Sequence, residues 1–238
     1  MSEAAAQRPV AAAAKPATDG SWLKDLILGG QDGLVNVLGI VLGVSAASSD
    51  VKVLLAAGLA ATFAEGVSMG AVAWTSSRAQ ADHYESERER WRSELGASPQ
   101  KGRDALRRIY RAKGFSGELL DRIVETICAD PKTALSTIMN EELGLEPLDD
   151  AAVRRSALIV GVATIVGSLI PLLPFFFLPR GPALVGAIGL SAVALFFVGA
   201  YEAKTSIGDW RRKGLQMTAI GLGAALVGYL VGRLFGAS

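Results

Sequence analysis

The chain has one cysteine and one histidine among its 238 residues, and that scarcity closes several chemistries at once. Cys128 alone can form neither an intramolecular disulfide nor a cysteine-based zinc or iron–sulfur site. His83 alone cannot build a multi-histidine metal centre. Any metal chemistry therefore falls to carboxylates, amides and methionine. Charge is also sparse: 20% of residues are Asp, Glu, Lys or Arg, and the mean hydropathy is +0.35. That is too apolar for a fully hydrated surface. The net charge of +1, with no basic patch free of acidic neighbours, leaves no nucleic-acid footprint. There is no G-x-x-x-x-G-K-[ST] phosphate loop, so nothing supports direct drive by ATP. No strand pattern and no internal repeat emerges.

What the sequence has is long apolar runs. Five segments can each cross ~30 Å of hydrocarbon: Leu23 to Ser48, Val51 to Ser76, Ala157 to Leu178, Pro182 to Ala203 and Leu215 to Phe235. The fold class expected is all-α, a polytopic membrane protein of five transmembrane helices. The charge is gathered between Arg78 and Arg155, which hold 14 Lys+Arg and 15 Asp+Glu. The expected organisation is a disordered Ala/Pro-rich tail (1–22), spans one and two (23–77), a helical insert (78–155) and spans three to five (156–238). The insert and the loop from Lys204 to Lys213 hold 18 of the 24 basic residues. By the positive-inside rule the N-terminus and insert then face the cytoplasm. The composition and the lack of a targeting signal suggest a bacterial inner membrane.

Within the insert, Asp82 to Leu95 continues the second membrane helix. Ser98-Pro99 opens a helix to about Lys113, Gly114 stops it, Ser116 caps the next, and Asp130-Pro131 opens a last one to Leu143.

Ionisable groups inside membrane helices cost about 2.5–3.5 kcal/mol each and are functional candidates for that reason. Asp32 and Asn36 lie one turn apart on the first span, beside Gly29, Gly33, Gly39 and Gly43. Glu65 sits mid-way along the second, with Met69 one turn later. A carboxylate and a thioether on one face suit Fe(II) and later first-row ions better than Mg(II) or Ca(II). The same carboxylates can take up protons when metal is absent, because burial penalises the charged form. The competing reading makes Asp32 a polar helix start near the interface and pairs Glu65 with a helix dipole or an amide.

In the insert, Met139, Glu142 and Glu146 fall at helical spacing on one face. Glu85, Glu87 and Glu89 are each followed three positions on by arginine, a self-compensating surface pattern. His83 reads as interfacial and Cys128 as buried and inert.

Asp32-Gly33-Leu34-Val35, Glu65-Gly66-Val67-Ser68-Met69-Gly70 and Glu142-Leu143-Gly144-Leu145-Glu146 together resemble the signatures of the vacuolar iron transporter family. So does the layout of two spans, a helical insert and three spans, with Trp210 to Met217 entering the last. The likeness covers residues 24–236. It implies a homodimer that moves Fe(II), and Mn(II) or other divalent ions, out of the cytoplasm in exchange for protons. It implies that Asp32, Glu65 and Met69 line the path near the dimer axis. It implies, too, an insert that captures metal through Met139, Glu142 and Glu146 opposite its first helix. The repeated E-x-x-E pairs of the family's eukaryotic members are absent between Glu85 and Glu94, where Glu87 and Glu94 are the available substitutes. No enzymatic activity or prosthetic group is expected; the ligands are divalent metal ions, protons and the lipid bilayer. The rival reading is a non-transporting, metal-responsive membrane scaffold or sensor on the same fold.

Overall fold

The computed structural model describes residues 21–205 and 208–236; the expected tail, apart from the first helical residues, lies outside them. Eight helices and no strand occur among the described residues: α1 (Ser21–Ala47), α2 (Val51–Ala97), α3 (Pro99–Ala112), α4 (Gly117–Cys128), α5 (Pro131–Glu141), α6 (Asp150–Phe177), α7 (Arg180–Thr205) and α8 (Trp210–Gly236). Five of them, α1, α2, α6, α7 and α8, are long and apolar enough to cross a membrane. Asp32 does not interrupt α1, and α2 runs unbroken from the apolar span into the charged sequence. The chain divides into two compact units, Met1–Met69 with Ile159–Ser238, and Gly70–Leu158.

The first unit is a five-helix bundle. Its core takes Val37, Leu38 and Val41 from α1, Leu54 from α2, Leu172 and Phe175 from α6, Ala183 and Ala187 from α7, and Ala225 from α8. In lipid, apolar side chains gain little by meeting one another, so close approach of backbones through small residues does much of the association. α1 is the helix built for this. A side chain at Gly29 or Gly33 would run into the backbone carbonyls of Val160 and Thr164 on α6, and Gly30 lies against Gly167. Further along, Gly39 and Gly43 meet Gly228 and Gly232 of α8 with backbone against backbone. Thus α1 packs on α6 through its first half and on α8 through its second. The outward faces carry Val162, Val166, Phe177, Val185, Phe197, Leu215 and Leu234, all well exposed on the chain, as a lipid-facing surface requires.

The second unit has its own core: Trp91 from α2, Ala105, Leu106 and Ile109 from α3, Leu120 and Val124 from α4, and Ala134, Ile138 and Met139 from α5. Local signals set its boundaries. Pro99 starts α3, Gly114 follows it at φ +94, and the Asp130 carboxylate accepts the Lys132 and Thr133 amide protons at the start of α5. Ser116 precedes α4 as expected, but its hydroxyl makes no capping hydrogen bond. α5 ends at Glu141, two residues sooner than the sequence suggests. Gly144 at φ +63 turns the chain and the Leu145 amide donates to the Met139 carbonyl. α6 begins seven residues before its apolar run: Asp149 accepts from the Ala152 amide at 2.6 Å, and Asp150 pairs with Arg78 at 2.7 Å.

Candidate transport site in the bundle

α1 carries Asp32 about three turns in from its first residue, well inside the helix rather than at its start. Gly33, the next residue, is pressed against α6, where Thr164 and Ser168 face it. That packing fixes the azimuth of α1 and leaves Asp32 and Asn36, four residues apart, on a neighbouring stripe. On α2, Gly66 sits against Ile165 of α6, which turns the preceding Glu65 toward α1. The result is direct contact: the Asn36 side-chain amide Nδ2 donates to Glu65 Oε1, and the Asp32 carboxyl interacts with the same Glu65 carboxyl. Among the described residues no Lys, Arg or His forms an ion pair with either acid. Met69 is half-buried one turn beyond Glu65.

Two carboxylates held together in a membrane helix bundle, with the Asn36 amide donating to one of them, form a site without a paired positive charge among the described residues. Repulsion between two ionised acids is strong where the dielectric is low. The arrangement is relieved by protons or by a cation. No basic side chain of the described residues supplies that charge by an ion pair. Among the described residues no cluster of three or more His, Cys, Asp or Glu gathers anywhere, so one chain offers two carboxylates here and no third. Asn36 is exposed, Glu65 is half-buried, and Val67 beside it is 73% exposed: the cluster opens onto an outer face of the bundle.

The insert residues are placed differently. Met139 is completely buried in the α2–α5 core, 0% exposed, and is not available as a ligand there. Glu142 still caps α5 in helical conformation, but Gly144 turns the chain before Glu146, so the expected three-residue face does not form. Glu142 accepts from Arg108 at 3.0 Å. Glu87 pairs with Arg90 at 2.8 Å, and Glu94 lies 3.6 Å from Lys101. Glu85–Arg88 and Glu89–Arg92 pair as the three-residue spacing predicts. Glu146 is exposed. Cys128 is partly buried, and burial pushes its thiol up from the ordinary value, which keeps the reactive thiolate scarce.

Sequence reasoning missed the α6 residues that back the site. Thr164 bonds its hydroxyl to the Val160 carbonyl, and Ser168 is fully buried with no hydrogen-bond partner for its hydroxyl. The signal was present as small polar residues spaced i, i+4 on an otherwise apolar span.

A helix bundle of five apolar spans with a self-contained acidic cluster defines a class, that of polytopic membrane transport proteins. Comparison with known proteins sharpens this. The model of the VIT family matches residues 23–233, and the chain belongs to that family. It is similar to vacuolar iron transporter 1 of Oryza sativa subsp. japonica, with 30% identity over 213 residues, 89% of this chain and 84% of the relative. It is 30% identical over 183 residues to vacuolar iron transporter 1 of Arabidopsis thaliana, covering 76% and 73% of the two chains. Protein CCC1 of Saccharomyces cerevisiae is 25% identical over 225 residues, 90% of this chain and 69% of the relative. The relatives named as vacuolar iron transporters are transporters, not enzymes, and they give no support to the bacterial inner membrane expected from composition.

Proposed function

We propose that this protein is a proton-coupled divalent-metal transporter that exports Fe(II), and also Mn(II), from the cytoplasm. One observation carries the reading: Asp32, Asn36 and Glu65 converge within the apolar bundle, and no basic residue among the described ones is paired to them. Metal transport is further supported by relatives named as iron transporters. Protons returning from the far side pass through the same two carboxylates as the metal. An arriving Fe(II) takes their place, with Met69 as a soft neighbour one turn away. Release on the far side frees the carboxylates for protons, so each acid serves both ions in turn. Because the cluster opens onto an outer face, a second copy across that face would bring a second Asp32–Glu65 pair and complete the ligand set, as a homodimer. The part of the insert is narrower. Glu87, Glu94 and Glu142 would hold metal only on leaving their arginine and lysine partners, with Glu146 free to join them.

The arginine-matched insert helix keeps the rival in play, a metal-responsive scaffold that does not transport. Flux decides between the two. Full-length protein in liposomes with an Fe(II) dye and a pH dye inside should admit Fe(II) only when a proton gradient is imposed. Glu65→Gln should cut that flux by about tenfold or more while the protein remains folded. Wild-type liposomes that pass neither Fe(II) nor Mn(II) would sink the transporter reading.

A further inference from the structure

At the end of the bundle where α1 stops and α7 begins lies a cavity of about 680 Å³. Its walls are apolar, formed by Leu184 and Ile188 of α7 and Leu226 of α8, and two arginines stand in its lining, Arg180 and Arg233. Arg180 donates to the Ser45 carbonyl and, from Nε, to the Ser45 hydroxyl at 3.4 Å, which fixes the guanidinium between α1 and α7. Those bonds use part of its five donors. Among the described residues no carboxylate forms an ion pair with Arg180 or Arg233. Tyr229, 37% exposed, adds a hydroxyl to the same lining.

Two uncompensated guanidiniums above an apolar cleft on a lipid-facing surface have a clear complement: one anionic phosphate joined to hydrocarbon chains. We propose that this cavity binds an anionic glycerophospholipid of the adjoining leaflet, its phosphate on Arg180 and Arg233 and its acyl chains along Leu184, Ile188 and Leu226. Guanidinium and phosphate match as planar fork and tetrahedral acceptor, and the leaflet supplies this ligand at high local concentration. A second copy of the chain is the weaker occupant. In a two-fold interface the same patch meets itself, which would set the arginines of one copy near those of the other. The inference is independent of the transport reading, because the acidic cluster shares none of these residues.

Native mass spectrometry of the full-length protein in detergent tests it, with phosphatidylglycerol and phosphatidylcholine of identical chains as probes. Phosphatidylglycerol should be retained and phosphatidylcholine should not. Arg233→Gln should weaken retention about tenfold, the loss of one charge-assisted hydrogen bond, and Arg233→Lys should restore much of it. Ile188→Trp, which fills the cleft and leaves both charges, should abolish retention. Equal retention of the two lipids, or wild-type retention in both Arg233→Gln and Ile188→Trp, overturns the proposal. So does a shift from dimer to monomer in Ile188→Trp, which would give the face to a second copy. Unaltered thermal unfolding of the variants separates lost binding from lost fold.

Discussion

At the scale of single residues, the amide between α1 and α2 is the most informative contact. Asn36 donates to Glu65 and cannot titrate, so it marks the position of the carboxylate without supplying the missing charge. Asn36→Ala should leave the bundle folded and slow metal flux about tenfold, the usual cost of a hydrogen bond to a charged group; liposome assays beside Glu65→Gln measure it. Asp130 supports a different prediction. The Thr133 hydroxyl, then the Lys132 amide, hold its carboxyl below the usual carboxylate value. A depressed folded value means the cap contributes fully above the unfolded value of about 3.9 and loses its contribution as pH falls through the lower folded one. Amide exchange at the first turn of α5, corrected for the intrinsic rate, should therefore accelerate in acid. In Asp130→Asn, which caps without titrating, that acid step should vanish. Both candidate membrane acids were legible in the sequence, because a charge in an apolar span stands out. Their contact was not, since it depends on how Gly33 and Gly66 seat two helices against a third.

At the scale of elements, punctuation decided what could be read. Pro99, Gly114 and Pro131 mark helix ends by backbone chemistry alone, and α3 to α5 begin where they indicate. The start of α6 is marked by a cap, Asp149, rather than by its apolar run; its first turns are charged and are held by Asp149 and by the Arg78–Asp150 pair. The end of α5 was misread because Glu142 and Leu143 are good helix formers overruled by the turn at Gly144. The α1–α8 seam supplies the prediction at this level. A side chain at Gly232 would meet the Gly43 carbonyl, whereas one at Gly223 would meet nothing within 4 Å. Gly232→Leu should destabilise the protein by about 2–3 kcal/mol or more, seen as a lowered unfolding temperature in detergent. Gly223→Ala should leave it unchanged or slightly raised.

At the scale of the whole molecule, the chain keeps two cores that share no residue, one of small and aliphatic side chains with Phe175 among five spans and one around Trp91 in the insert. Damage to one should stay there. Ile138 is 0% exposed, and Ile138→Ala should cost the insert about 2–5 kcal/mol. Hydrogen exchange should then rise across α3 to α5 while amides of α6 beyond residue 159 keep wild-type protection. Composition alone announced the apolar spans and the polar insert. The division of labour inside the bundle did not show, because it rests on which glycine meets which carbonyl.

That division bears on substitution. α1, with Asp32 and Asn36, is clasped main chain to main chain by α6 and α8, and such contacts have no slack. On α2, a side chain at Gly58 would meet the end of Leu172, and one at Gly66 would meet Ile165 with the Gly161 carbonyl 3.2 Å away. The bundle therefore tolerates added bulk unevenly: a side chain placed at Gly33 or Gly43 of α1 forces main chain apart, whereas one at Gly58 of α2 meets first the methyl groups of Leu172.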